Sequence, residues 1–75
     1  MKIPQVSSNE MIKFLKTKGY EIHHCKGSHF VLIQPNISRI VVPFRTELAL
    51  GTILAILRES KISKEEYLTF FSRKG

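Results

Sequence analysis

The chain has one cysteine, no tryptophan, six acidic residues and no apolar run near the length of a membrane span. Each scarcity excludes something. One cysteine cannot close an internal disulfide, and without a CxxC pair there is no zinc-ribbon framework. The stapling of small secreted scaffolds is therefore missing, and a reducing compartment fits best. A spanning helix needs about 20 apolar residues in a row, so no membrane association is expected. The N-terminal "MKIPQVSSNE" lacks an apolar h-region, which predicts no signal peptide and a cytoplasmic location.

What is present points to one small globular unit. At 75 residues, with 43% hydrophobic residues, the chain can build a thin core and is too apolar for disorder. One domain over residues 1–75 is expected. Twelve Lys and Arg against six Asp and Glu leave a net charge of +6. That balance favours a polyanionic partner, above all nucleic acid, although solubility alone also keeps small domains charged.

Two helix starts are written in the same code. In "VSSNEM", Ser7 and Glu10 have capping-box spacing, with Val6 and Met11 at staple positions. Met11, Ile12 and Leu15 form an inner face, and Gly19 suits the helix end. In "ISKEEY", Ser63 and Glu66 repeat the box and Ile62 and Tyr67 repeat the staple, predicting a short helix through Phe71. Between them, "ELALGTILAILRES" predicts a helix whose Leu50, Ile53, Leu54 and Leu57 fall at i, i+3, i+4, i+7, with irregular first turns around Gly51 and Thr52.

The middle of the chain reads as strands. "YEIHHC" and "SHFVLIQ" flank a turn at Lys26-Gly27, "PNIS" makes a second turn, and "RIVVP" ends at Pro43. The predicted architecture is α+β: an antiparallel three-stranded sheet with helices on one face, in the order α-β-β-β-α-α. Phe30, Val31, Leu32 and Ile33 make both faces of the middle strand apolar, so the face without helices is expected to meet a partner, a second copy or another protein.

Three histidines and the cysteine crowd into residues 23–29. Strand alternation turns His24 away from His23 and Cys25, so no protein-only metal site and no cofactor is expected. His23 and His24 read as half-exposed pairing residues and Cys25 as a small buried one. His29 differs, because it follows "KGS" beyond a tight turn, beside Lys26, Gly27 and Ser28. Imidazole can serve as general acid or base near neutrality, an ammonium stabilises charge on phosphate, and a glycine lets substrate approach the backbone.

"KGSHFVLIQP", followed by "IVVPF" and "LGTILAIL", resembles the HicA (YcfA-like) family of mRNA interferase toxins from Met11 to Phe71. The resemblance implies a double-stranded-RNA-binding-domain-like fold. It also implies metal-independent cleavage of mRNA with the histidine of the GSH motif as catalyst, here His29, and a HicB-like antitoxin as partner. Lys26, Gly27, Ser28, Arg39 and Arg45 are the expected substrate contacts. One departure stands out: many members carry a histidine two residues after Val-Pro, where this chain has Arg45. A guanidinium cannot act as a base but can clamp phosphate. A non-catalytic RNA-binding module and a protein-interaction subunit are the alternatives.

Overall fold

A computed structural model of the chain describes residues 3–35 and 37–72. The order is α1 (Ser8–Thr17), β1 (Glu21–Lys26), β2 (His29–Gln34), β3 (Ile37–Pro43), α2 (Leu50–Ser60) and α3 (Lys64–Ser72). The strands form one antiparallel sheet in the order β1-β2-β3. This is the expected α+β arrangement. The expected second turn includes Asn36, which lies outside the described residues.

The capping code of α1 is fully used. The Glu10 amide donates to Ser7 Oγ at 3.2 Å, and the Ser7 amide donates to Glu10 Oε1 at 3.0 Å. Val6 and Met11 are both buried, as a staple requires. At the other end, the Gly19 amide donates to the Lys16 carbonyl and the Tyr20 amide to the Leu15 carbonyl, a Schellman closure. Gly19 takes φ +94°, and a Cβ there would meet Gln34 Nε2 at 3.0 Å. That amide donates to the Lys18 carbonyl, so the helix end is also tied to β2.

For α3 the box is half made. The Glu66 amide donates to Ser63 Oγ at 3.1 Å, while the Glu66 carboxylate pairs with Lys18 Nζ on α1. Tyr67 is buried, donates its hydroxyl to the Pro4 carbonyl and stands edge-on to Phe14 at 5.7 Å. Phe14 also stacks near Phe70 and Phe71, so an aromatic cluster fastens α3 to α1.

The second helix starts three residues later than expected, and its core stripe shifts with it. Leu50, the first helical residue, is 44% exposed, while Leu48 before the helix and Ile56 within it are buried with Ile53 and Leu57. The irregular stretch lies ahead of Leu50, and Gly51 and Thr52 are ordinary helix. Ahead of the helix the chain is tied to the N-terminal segment: the Leu48 amide donates to the Val6 carbonyl at 2.8 Å, and both side chains are buried.

The helices cover one face of the sheet. Leu32, Ile40 and Val42 join the same buried cluster as Phe14, Leu15, Ile53 and Tyr67. Val31 is buried outside that cluster, and its neighbours on the opposite face, Ile33 and Val41, stay 39% and 43% exposed. The two-sided apolar character of β2 is thus real, and its second face is only partly covered by the chain itself.

Candidate nucleic-acid interface

The hairpin closes one residue later than expected. Lys26 is the last residue of β1 and pairs directly with His29, leaving Gly27 and Ser28 as the two-residue loop. Gly27 has φ +59° while Ser28 is not among the residues with positive φ, the pattern of a type II′ turn. Such a turn needs glycine at its first position, and a Cβ on Gly27 would meet nothing within 4 Å. The glycine is there for its backbone angle and leaves open space above the turn.

Directly opposed residues in an antiparallel pair hold their Cβ atoms about 4.5–5.5 Å apart on the same face. The pairing of Lys26 with His29 therefore sets an ammonium beside an imidazole, both exposed. On its other side His29 pairs with Pro43 of β3. Alternation along β2 places His29 with Val31 and Ile33, on the face without helices.

Beyond Pro43 the chain is held against the turn. The Phe44 amide donates to the Ser28 carbonyl at 2.7 Å. Arg45 is then clasped to the start of α1: its carbonyl accepts from the Ser8 amide at 3.0 Å and from Ser8 Oγ at 3.2 Å, and its amide donates to Ser8 Oγ at 3.3 Å. The structure thus gathers Lys26, Gly27, Ser28, His29 and Arg45 at one end of the sheet. Arg39 is not brought to this group. It lies four residues before Pro43 on β3, roughly 13 Å along the strand at about 3.3 Å per residue. The register of β3 against β2 is also irregular between Ile37 and Ile40, the stretch that contains Arg39. Among the described residues, Lys26, Arg39 and Arg45 are in no salt bridge.

Ser8 is the residue that sequence reasoning missed. Its hydroxyl is buried and fully used, and it fixes where Arg45 leaves the sheet. The only sequence signal is the doubled serine, one more than a cap needs.

The remaining polar residues of the hairpin depart from expectation. Cys25 is exposed, because β1 is the sheet edge and all six of its residues are exposed. His23 is the extra residue of a β-bulge between Ile22 and His24, and the bulge brings the His23 and His24 rings to 5.0 Å instead of separating them. Among the described residues, no three His, Cys, Asp or Glu side chains converge as a ligand set.

The site is an open surface. Two clefts occur elsewhere, one of about 610 Å³ between α1 and α3 and one of about 430 Å³ beside Tyr20 and Ile22, and neither is lined by His29. An exposed imidazole paired with a lysine, with an arginine at the same end of the sheet, suits a phosphodiester carried on a polymer better than a small enclosed substrate.

Residues 8–62 match the family described as the HicA toxin of bacterial toxin-antitoxin systems, a span covering more than half of the chain. The chain belongs to the HicA toxin family. No curated protein matches it. The HicA match begins at Ser8, the residue that clasps Arg45, and takes in the whole hairpin and β3. It ends at Ile62, so α3 lies outside it although Tyr67 and Phe71 pack on the HicA core. Membership makes this a toxin of a toxin-antitoxin system, with an antitoxin as its partner. Among the described residues, no helix is long and apolar enough to cross a membrane.

Proposed function

We propose that the chain is a metal-independent endoribonuclease that cleaves mRNA, with His29 as its catalytic residue. The observation that carries the reading is the direct pairing of His29 with Lys26 across a glycine-led turn, on an exposed surface of a HicA-family toxin. RNA supplies its own nucleophile, the ribose 2′-hydroxyl. In-line attack on the adjacent phosphorus breaks the bond to the 5′-oxygen and leaves a 2′,3′-cyclic phosphate. The reaction needs a base for the hydroxyl, an acid for the leaving oxygen and cations around the phosphorane.

His29 takes one of the two proton transfers. Lys26 lies within reach of the same phosphate and stabilises its charge, and Arg45 offers a bidentate clamp from the other side of the turn. Open space above Gly27 lets the RNA backbone approach, with Ser28 as a neighbouring hydrogen-bonding group. Arg39 contacts the strand farther along, at the other end of the sheet. RNA is the substrate, and a HicB-like antitoxin is the partner that restrains it.

The test expresses His29→Ala without antitoxin and follows RNA integrity and growth. Cleavage should fall by roughly 10²–10⁴, the usual worth of one positioned acid–base group. RNA binding should fall far less, since Lys and Arg contacts to phosphate supply most affinity. His23→Ala and His24→Ala should cleave as the parent does, and a chelator should leave the parent's rate unchanged. A His29→Ala variant as toxic as the parent at equal expression overturns the assignment. A parent that binds RNA without cutting it supports the non-catalytic module, a reading favoured by one observation: Arg45 stands where many family members carry histidine.

A further inference from the structure

β1, with the sequence Glu-Ile-His-His-Cys-Lys, is an edge strand of the sheet, and all six of its residues are exposed. Natural edge strands are usually guarded by proline, by inward charge or by a bulge that a foreign strand cannot match. Here β1 has no proline, and its two charges stand at its two ends with opposite sign. Its one irregularity is the bulge at His23.

That bulge changes which residues share a face. In a regular strand, residues five apart point to opposite sides. Across the bulge, Glu21 pairs with Ile33 and Lys26 with His29, and Ile33 and His29 are both on the face without helices. Glu21 and Lys26 therefore share that face. Ile22 pairs with Leu32 and Cys25 with Phe30, so Ile22 and Cys25 share the helix side. His24 pairs with Val31 of the open face, and its ring lies 5.0 Å from that of His23, so the two histidines sit together at the bulge. Read in either direction, β1 runs open face, helix face, the two histidines of the bulge, helix face, open face.

We propose that β1 pairs antiparallel with β1 of a second copy of this chain, Glu21 facing Lys26, Ile22 facing Cys25 and His23 facing His24. A two-fold axis perpendicular to a sheet keeps each residue on its own face, so opposed residues must share one. The bulged strand meets that condition in this register and an unbulged one would not. His23 and His24 of one strand lie opposite His24 and His23 of the other, so the bulge that blunts the edge against foreign strands fits its own copy. Two Glu–Lys pairs close the ends. On the helix side, Ile22 is 43% exposed at the mouth of the cleft of about 430 Å³, where the copy's Cys25 would sit. An interface of one strand edge is small, so the association is weak and concentration-dependent. This inference does not rest on the ribonuclease reading.

Sedimentation velocity of the full chain over a concentration series should show a monomer–dimer equilibrium. Glu21→Lys and Lys26→Glu should each shift it to monomer, because like charges then face each other, and the double swap should restore the dimer. β1 side chains are exposed, so far-UV circular dichroism should match the parent in every variant. Independently, Ile22→Cys in the presence of native Cys25 should form a covalent dimer under oxidised glutathione, and Ile22→Cys/Cys25→Ser should not. A chain that stays monomeric throughout overturns the proposal, as does a dimer indifferent to both single swaps. Cross-linking of the parent through Cys25 alone would reveal another register and overturn this one.

Discussion

Ser8 and Arg45 hold each other through three hydrogen bonds, although they are 37 residues apart in sequence. The Ser8 hydroxyl accepts from the Arg45 amide while it donates to the Arg45 carbonyl. Ser8→Ala strands a part-buried amide and should cost about 1–2 kcal/mol. For a chain of this size that is a fall of about 4–8 °C in Tm per kcal/mol, read by thermal denaturation. Under the proposed function, RNA cleavage should also drop at temperatures where the variant is fully folded. Unchanged Tm and unchanged cleavage would remove Ser8 from the site.

Under the proposed function, Arg45 and Arg39 make two kinds of phosphate contact. Each replaced by alanine should weaken RNA binding and reduce the slope of log affinity against log salt by about 1. Only Arg45→Ala should also slow single-turnover cleavage, because Arg45 shares the end of the sheet with His29 and Arg39 does not. Equal loss of cleavage in the two variants would place the scissile phosphate nearer the middle of the sheet.

Lys61 ends α2 with φ 60°, ψ 33°, in the left-handed region that glycine occupies without a steric penalty. The closure is otherwise complete, since the Ile62 amide donates to the Leu57 carbonyl and the Lys61 amide to that of Arg58. Lys61→Gly should therefore stabilise the chain by about 0.5–1 kcal/mol, visible as a higher urea midpoint at unchanged m. A lower midpoint would mean that the lysine charge at the helix C-terminus outweighs the backbone strain.

Tyr67 makes stability fall in alkali. Burial, and then the nearby Glu10 carboxylate, push its hydroxyl from 10.0 up to about 12. The unfolded chain releases this proton near pH 10 and the folded chain near 12, so between those values the unfolded state binds fewer protons. Stability due to this group is fully present below pH 10 and is lost as pH rises through 12, by at most about 1.4 kcal/mol per unit. Tyr20 is also raised by burial and adds in the same direction. Tyr67→Phe loses the hydrogen bond to the Pro4 carbonyl and should cost about 1 kcal/mol at neutral pH. Its urea midpoint should then decline less steeply than the parent's between pH 9.5 and 11, a range set about the ordinary tyrosine value of about 10. Parallel declines would show that Tyr67 is not the group responsible.

By itself, the sequence determined everything that depends on near neighbours in the chain. The caps at Ser7 and Ser63, the stop at Gly19, a tight hairpin around Gly27 and the apolar β2 strand follow from spacings of a few residues. Backbone angle and hydrogen-bond reach act at that range. The motif around His29 was legible for the same reason, and so was the HicA family.

Tertiary structure decided what depends on register. Periodicity put Leu50 in the core, but α2 starts at Leu50 and leaves it exposed, while Leu48, tied to Val6, takes the buried place. Alternation separated His23 from His24, and Cys25 read as a small buried residue, until the bulge and the edge position of β1 reversed both. Arg39 and Arg45 read alike as cations, yet strand pairing sent one to each end of the sheet. Pairing across strands and contact between segments far apart carry no local periodicity, so only the folded chain could set them.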